Sequence, residues 1–582
     1  MDAAAQSETL SDRFTFRIVG GFEGDITENL SYSASFNYGR TEITETFTNV
    51  RLEDRFFASV DAVLDPATGE IVCRSDIDPD ALPPVSPFPS SREGFLTFDP
   101  GDGQCVPTSL FGPDAITQEA ADFIFQNVEE TSELQQMVAQ FVVTGTTADL
   151  FSLPAGPIGF AAGFEYREEQ SEFNPNEPEI LGLTFNSLTV AESPVSGGFD
   201  VYEGFAEVQI PVLEGLFLAE DLTISSAFRI SDYSTVGRTF AYNAGVSYRP
   251  IQDLLIRGTY NRAVRAPNVF ELFSPEQPIT IAADFDPCNP DQIDDGSEFR
   301  PGNCLELVGP GFNSTDFASA FVTGSAGGNP DVNEEVADTF TAGFVYTPSF
   351  LPGLTVLADY WNIQIDDAIA TTDPETIIEN CVDAPSLDND FCPLVTRDPV
   401  NGNIIFFESG TTNIAALEAE GVDFLVRYGS SFEDLIDLNW GNVELEVGGQ
   451  YLIARNDFEF QDFPDTIDTL AEEFTFPRWL VNLVLRWNKG PFSASYLVNF
   501  QSSQNLPGIE NEEIAADPNF ADQLFTGSAS IHTVRGSYQL AEHLEFSVTV
   551  NNMFDREPFL ATLTRPVGPI GRTVQIGIRG RF

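Results

Sequence analysis

The chain has 582 residues, 42% of them hydrophobic, and a formal net charge of −63. This hydrophobic content argues against bulk disorder, and the acidity argues against a nucleic-acid partner, because a nucleic-acid binder needs a basic patch to neutralise phosphates. The 52 phenylalanines favour β-structure, since aromatic side chains suit a half-buried pleated surface.

Apolar and polar residues alternate in stretches that recur along the whole chain. "NLSYSASFNYG" is an early example, and the terminal "TVQIGIRGRF" places Val574, Ile576, Ile578 and Phe582 on one face. This period of two predicts strands with one apolar face. The expected seventeen strands cover residues 13–22, 29–48, 134–151, 157–170, 199–211, 221–232, 237–249, 253–266, 335–347, 354–368, 409–429, 441–455, 475–488, 492–503, 528–540, 543–555 and 572–582.

Three features favour an all-β, up-and-down membrane barrel over a soluble sandwich or propeller. Many strands approach or exceed the 9–11 residues that a tilted spanning strand needs, and aromatic residues cluster near strand ends, as Trp479 and Trp487 do. The polar faces mix small and charged residues, as a wet lumen requires. The charged examples are Glu207, Arg229, Arg257, Arg486 and Arg579.

The connections between strands alternate in length. Short ones lie at 23–28, 152–157, 249–253, 347–353, 488–491 and 539–543, and long ones at about 49–133, 172–198, 267–334, 369–408, 457–473 and 504–527. A barrel in an outer membrane has short periplasmic turns and longer extracellular loops, so the long connections are expected outside the cell. The short connection at 231–237 is an exception.

Neither the N-terminus nor the interior carries a targeting or spanning segment of the usual kind. No signal peptide is apparent, and no apolar run approaches the length of a membrane helix. An odd number of strands cannot close an antiparallel barrel whose two ends face the same side. We therefore expect at least one further strand before residue 13.

The six cysteines form three near-neighbour couples in stretches rich in Pro, Asp, Asn and Gly. Disulfides in such loops would indicate an oxidising compartment, and unpaired buried thiols are the alternative. The disulfide candidates are Cys73 with Cys105, Cys288 with Cys304, and Cys381 with Cys392.

Four segments resemble the TonB-dependent outer-membrane receptors. They are "DLFSLPAGPIGFAAGFEYR" (149–167), "YNRAVRAPNVFELF" (260–273), "GNPDVNEEVADTFTAGFVYTP" (328–348) and "VTVNNMFDREPF" (548–559). The last strand, ending on the aromatic Phe582, resembles the signal read by the outer-membrane barrel assembly machinery.

The resemblance implies a 22-stranded, monomeric receptor barrel in a Gram-negative outer membrane, with a plug domain that contacts TonB. On this basis residues 1–582 would be a partial barrel that lacks the signal peptide, the plug and about five strands. A naturally plugless barrel with fewer strands is the alternative. The implied function is TonB-dependent uptake of a scarce, bulky nutrient through a lipid-embedded barrel.

The expected nutrient is a saccharide, peptide or other organic compound ahead of a ferric siderophore, because an acidic lumen would repel anionic ferric chelates. A passive porin or a surface adhesin is the alternative function, and a secreted all-β hydrolase is disfavoured by the lipid-facing aromatics. No enzyme fingerprint appears, so we expect no catalytic activity and no cofactor.

Individual candidate residues have structural interpretations. Arg265 with Pro267 and Glu271 could contact a ligand, but a strand that ends at an outer loop is the favoured interpretation. Asp555 with Arg556 is similarly interpreted as a strand exit. The segment 114–137 predicts a short helix that packs over the barrel mouth or acts as a lid. His532 and His543 lack partners at metal-ligand spacing, so no metal site is expected, although the acidic loops leave calcium binding open.

Overall fold

In the computed structural model, one antiparallel sheet of seventeen long strands dominates the chain. The structure describes residues 7–80, 96–111, 116–184, 193–274, 277–282, 284–314, 321–389, 391–458, 467–505, 525–557 and 571–580. The strands are β1 (Thr9–Thr27), β2 (Leu30–Arg51), β3 (Phe125–Thr146), β4 (Gly159–Asn174), β5 (Val195–Leu216), β6 (Ala219–Tyr233), β7 (Gly237–Ile251), β8 (Leu254–Arg265), β9 (Glu335–Tyr346), β10 (Leu354–Thr371), β11 (Ile404–Ser431), β12 (Asn442–Phe458), β13 (Trp479–Lys489), β14 (Phe492–Gln501), β15 (Ala529–Ala541), β16 (Leu544–Asn551) and β17 (Thr573–Gly580).

Every long strand pairs antiparallel with the next one along the chain, from β1 to β17. The predicted up-and-down antiparallel fold and its seventeen strands are therefore confirmed. Within the described residues no ladder joins β1 to β17, and in a meander of seventeen strands these two run in the same direction.

Several strands extend beyond their predicted ends. β11 runs over Ile404–Ser431, whereas the alternation predicted 409–429. β3 already begins at Phe125, so the helix expected within 114–137 is confined to Gln118–Ile124. β3 starts this early because β2 continues to Arg51 and its backbone pairs with residues 125–133. The ladder forms although these residues lack an apolar alternation.

Opposed residues of an antiparallel pair share one face, so the register assigns each side chain to the outer surface or to the lumen. On β17, Val574, Ile576 and Ile578 are 61–71% exposed and lie on the apolar outer face. Gln575 and Arg579 oppose Thr549 and Glu545 on the lumen face. This agrees with the prediction from the alternation. Phe582 lies outside the described residues.

The sheet curls around a lumen. Thr15 and Arg17 of β1 line the same cavity as Asn261 and Arg265 of β8, although β1 and β8 are seven positions apart in the sheet. A flat sheet could not bring these strands to one cavity.

The two ends of the sheet carry different connections. At the end that we call the short-turn end, residues 28–29, 147–158, 217–218, 252–253, 347–353, 432–441, 490–491 and 542–543 connect the strands. At the opposite, long-loop end, the connections are 52–124, 175–194, 234–236, 266–334, 372–403, 459–478, 502–528 and 552–572. The connection 234–236 is the short exception predicted near 231–237.

Where the structure describes them, the connecting segments contain short elements only. The helices are Glu53–Val60, Arg74–Ile77, Gln118–Ile124, Glu177–Ile180, Val269–Phe273, Arg300–Leu307, Pro374–Asp383 and Phe432–Ile436, with 3₁₀ turns at Thr147–Asp149 and Cys392–Leu394. The short strands are Ala62–Leu64, Ile71–Cys73, Gln277–Ala282, Phe321–Gly327, Val395–Arg397, Ile467–Thr469, Gln504–Asn505 and Phe525–Thr526. None of the helices in the described ranges is long and apolar enough to cross a membrane.

Candidate ligand-binding lumen

A cavity of ≈1050 Å³ lies in the lumen at the long-loop end. Its size is at the upper limit of ordinary small-molecule pockets, so it suits a bulky solute. The lumen faces of β1 to β8 supply charged, amide and aromatic side chains to its wall. These side chains are Arg17, Arg167, Glu169, Phe199, Glu203, Phe205, Glu207, Arg229, Tyr233, Asn243, Asn261 and Arg265.

A buried carboxylate marks the wall of this cavity. Glu203 is 4% exposed, and it accepts hydrogen bonds from Ser231 Oγ at 2.6 Å and from Arg229 Nη1 at 3.3 Å. The Arg229 guanidinium also lies 5.0 Å from the ring centroid of Phe205. Arg229 is thus held in place by both a charge and an aromatic face, while its side chain remains 41% exposed to the lumen.

The segment after β8 turns inward and forms a ledge over the cavity. Arg265 donates Nε to Glu335 at 2.6 Å and Nη1 to Glu271 at 3.0 Å. Glu271 also accepts from the backbone N–H of Asn268 at 2.7 Å, while Asn268 Oδ1 accepts from the Glu271 backbone N–H, so the two residues form a capping box. Arg265 therefore ties the helix Val269–Phe273 to β9.

This geometry gives a structural role to the Arg265, Pro267 and Glu271 group. Pro267 lies two residues after Arg265, the last residue of β8, so its missing N–H leaves no ladder bond unmade. Phe273 at the end of the short helix contacts β5 at Gly197, where a β-carbon would collide with the ring. The small residue at position 197 lets the ledge approach the wall.

Many of the charged side chains on the lumen wall occur in ion pairs. Ion pairs across or along its wall join Arg167 to Glu169, Arg229 to Glu203, Arg257 to Asp359, Arg265 to Glu335, Arg427 and Arg486 to Glu444, Arg455 to Asp457, and Arg535 to Glu545. The wall thus holds basic as well as acidic groups, and the expectation of an acidic lumen stays a prediction. Bulk composition could not separate the lumen from the loops, where acidic residues are concentrated.

Two long loops fuse into one unit, which we call the cap: the described residues of 266–334 and 372–403. The disulfides Cys288–Cys304 and Cys381–Cys392 pack against each other with Ile377, Val382 and Phe391 in one buried cluster. The strand Gln277–Ala282 pairs with Phe321–Gly327, which in turn pairs parallel with the start of β11. The cap is thereby continuous with the barrel wall.

Buried ion pairs connect the two loops of the cap. Asp286 is 1% exposed, and it accepts from Arg397 Nη1 at 2.6 Å and Nη2 at 3.0 Å. Arg300, which is 3% exposed, donates Nε to Asp383 at 2.7 Å. Burial raises the pKa of Glu379, which lies 3.6 Å from Arg300. The two residues of each hydrogen-bonded pair are more than eighty positions apart in the sequence.

The third disulfide, Cys73–Cys105, lies in the first long loop. It packs in a separate core with Ala58, Phe123 and Ile124, which come from the helices Glu53–Val60 and Gln118–Ile124. The helix that the sequence predicted in this region thus packs against a neighbouring helix of its own loop.

The remaining candidate residues occupy structural positions. His532 is on the outer face, where Nδ1 lies 2.6 Å from Tyr496 Oη and Nε2 lies 3.2 Å from Ser530 Oγ. Asp555 Oδ1 accepts from the Arg572 backbone N–H at 2.8 Å and closes the exit of β16. The described part of the chain contains no group of three or more His, Cys, Asp or Glu side chains that could hold a metal.

Sequence reasoning did not find the partners of the lumen arginines. Arg257 pairs with Asp359, 102 residues away, because both residues face the lumen with Gly343 between them in register. The only signal in the sequence was the polar phase of the alternation. That phase assigns each side chain to the lumen but does not say which two strands are neighbours.

Comparisons with known proteins agree with this architecture. The family profile described as "TonB dependent receptor-like, beta-barrel" matches residues 4–553. No curated protein matches the sequence. Among solved structures, the siderophore receptor PirA from Acinetobacter baumannii has 11% identity and a TM-score of 0.54, with 98% of this chain and 63% of that chain covered.

Two further solved structures have lower TM-scores. They are the ferric-catecholate import receptor Fiu from K12 E. coli, with 11% identity, TM-score 0.48 and coverage of 98% and 64%, and a mutant ferric enterobactin receptor PfeA from Pseudomonas aeruginosa, with 12% identity, TM-score 0.49 and coverage of 99% and 80%. The chain spans less than two thirds of the length of PirA and Fiu. At 11% identity, the similarity to PirA shows the fold alone. The family profile covers most of the chain and shows the family. The chain therefore belongs to the TonB-dependent receptor-like β-barrel family, whose members are receptors and transporters rather than enzymes.

Proposed function

We propose that this barrel is the ligand-capturing and conducting part of an outer-membrane receptor that takes up a bulky solute with energy supplied through TonB. The observation that carries the proposal is the large cavity at the long-loop end, with its paired charges and aromatic rings. Energy coupling would pass through a plug domain that belongs with this barrel. Residues 1–582 would then be the barrel domain of a larger receptor.

The long-loop end faces the outside of the cell in this proposal. Disulfides persist in oxidising compartments, and all three disulfides lie in loops of that end. Folding of the barrel by the assembly machinery, with Phe582 as its signal, and a monomeric state in outer-membrane lipid belong to the same proposal.

Among solute classes, we favour a ferric siderophore over a saccharide or a peptide. PirA, whose fold matches with a TM-score of 0.54, is named a siderophore receptor, and arginines on the lumen wall offer contacts to an anionic chelate. Arg17 and Arg229 lie on the cavity wall and could pair with such an anion. This order reverses the one expected from net charge.

Uptake of radioactive iron chelates by cells that produce the complete receptor tests the proposal. We expect uptake of at least one chelate that requires both this receptor and TonB. Competition with saccharides and peptides would identify another solute class, and uptake that persists without TonB would instead support a passive porin. High conductance of the purified receptor in a planar bilayer would also support a porin.

A pair of arginine variants locates the binding site. Arg229→Met removes a charge from the cavity wall, whereas Arg238→Met removes an exposed charge that pairs with Asp232 on the outer face. We expect the first variant to weaken binding of an anionic chelate and the second to leave binding unchanged. Equal affinities of the two variants would place the site elsewhere.

A further inference from the structure

Two turns at the short-turn end expose large apolar side chains. In the β5–β6 turn, Phe217 is 94% and Leu218 is 53% exposed. In the β11–β12 connection, Ile436 is 58% and Trp440 is 59% exposed. Turn residues are usually small and polar, so exposed apolar groups at this density indicate an interaction surface.

Hydrogen bonds attach both turns to the outer face of the barrel. Tyr248 Oη donates to the Leu218 carbonyl at 2.5 Å, and Trp487 Nε1 donates to the Trp440 carbonyl at 2.7 Å. Tyr248 opposes Leu222, and Trp487 opposes Val443, so both donors belong to the apolar outer face. The same arrangement therefore occurs twice, on separate parts of the barrel.

In the first turn, the backbone conformation of Leu218 is a further sign that its side chain contacts an apolar environment. Leu218 has φ of 59°, a left-handed conformation that Gly or Asn adopts at lower cost. A leucine at this position makes the turn less favourable in isolation. Contact between the leucine side chain and an apolar environment would offset this conformational cost.

The second connection is amphipathic. The helix Phe432–Ile436 begins at Ser431, whose Oγ accepts from the Asp434 backbone N–H at 3.0 Å. Phe432 packs edge-on against Trp440 with ring centroids 6.3 Å apart. Apolar residues at positions 432, 435 and 436 follow helical spacing, with acidic residues at 433 and 434 between them.

We propose that these two turns, 216–218 and 432–440, are membrane anchors that insert into the interfacial region of the lipid leaflet at the short-turn end. Their surface is continuous with the lipid-facing side of the strands, and aromatic residues with one polar end suit the boundary between acyl chains and headgroups. Acidic residues beside the second anchor favour zwitterionic over anionic lipid. The apolar belt thus extends past the ends of the strands.

The four tryptophans of the chain permit a direct test. Variants of the complete receptor that keep one of these four tryptophans, with Phe at every other tryptophan position, are reconstituted into phosphatidylcholine bilayers that carry bromine either near the glycerol backbone or near the acyl terminus. Trp361 is the lumen-facing control, because its ring lies on the lumen side against Gly421. Trp487 is the lipid-facing control, and heat-modifiable migration on a gel verifies folding of each variant.

We expect shallow bromines to quench Trp440 as strongly as Trp487 and several-fold more than Trp361. Quenching of Trp440 no stronger than that of Trp361 would overturn the proposal and leave the surface free for a protein partner. A second variant series places the sole tryptophan at position 217 by Phe217→Trp. Strong shallow quenching there supports the proposal, and its absence overturns the assignment of the first anchor.

Discussion

The ion pair between Arg397 and Asp286 offers the sharpest test of the cap. Asp286 is almost fully buried, and Arg397 supplies both of its charged hydrogen bonds while also donating to the Gly402 carbonyl at 3.0 Å. Arg397→Met preserves much of the side-chain volume but leaves a buried carboxylate unpaired. Removing one partner of a buried pair costs about 3–5 kcal/mol. Since about 1.4 kcal/mol corresponds to a factor of ten, local opening of the cap should become about 10²–10⁴ times more frequent.

Amide hydrogen exchange of the segments 286–293 and 395–397 measures this opening. The double variant Asp286→Asn with Arg397→Met should recover most of the lost protection, because it leaves no unpaired charge. The matched control is Arg238→Met, which breaks an exposed pair with Asp232 and should cost less than about 1 kcal/mol. Equal protection in Arg397→Met and the native protein, or a double variant as unstable as the single one, would refute the reasoning.

Further predictions concern the other contacts at the long-loop end. Reduction of the disulfides should destabilise their loops in the order of loop length, by about 3.7, 3.1 and 2.8 kcal/mol in the chain-entropy treatment. Comparison of local unfolding of the first long loop and of the cap, with and without reductant, would test this order. The corresponding separations are 32 residues for Cys73–Cys105, 16 for Cys288–Cys304 and 11 for Cys381–Cys392. Burial raises the pKa of Glu379 above 4.5, so its stabilising contribution is complete below pH 4.5 and is lost as pH rises through the raised pKa. Glu379→Gln should thus increase exchange protection of Pro374–Asp383 at neutral pH and match the native protein in acid; no difference at neutral pH would contradict this. Asn268→Ala should cost the helix Val269–Phe273 about 1 kcal/mol of exchange protection, and unchanged protection would contradict a stabilising role of this cap.

The alternation in the sequence was sufficient to predict the strands and their faces. Period two is a local property, so the phase that puts Val574 outside and Arg579 inside can be counted along one strand. Strand ends were predicted less well where pairing rather than burial determines them. Residues 125–133 extend β3 because β2 is already present beside them, and no pattern within that segment records this.

The candidate site could be predicted only in outline. The Arg265 segment was expected to be a strand exit, but its closure by Glu271 and Glu335 depends on an inward turn and on a neighbour 70 residues away. The cap could not be predicted at all, because it requires two loops separated by two strands to share one core. Such contacts depend on strand order in space, which a single sequence does not contain.

The distribution of charge connects the fold to the proposed uptake. At least twelve of the 27 basic residues face the lumen: Arg13, Arg17, Arg167, Arg229, Arg249, Arg257, Arg265, Arg427, Arg455, Arg486, Arg535 and Arg579. The loops and the outer surface must therefore carry most of the net charge of −63. The acidic loops and outer surface would repel an anionic chelate at a distance, whereas the lumen arginines would attract it on contact. Because salt screens the distant repulsion more than the short contacts inside the lumen, moderate ionic strength should favour capture of such a solute.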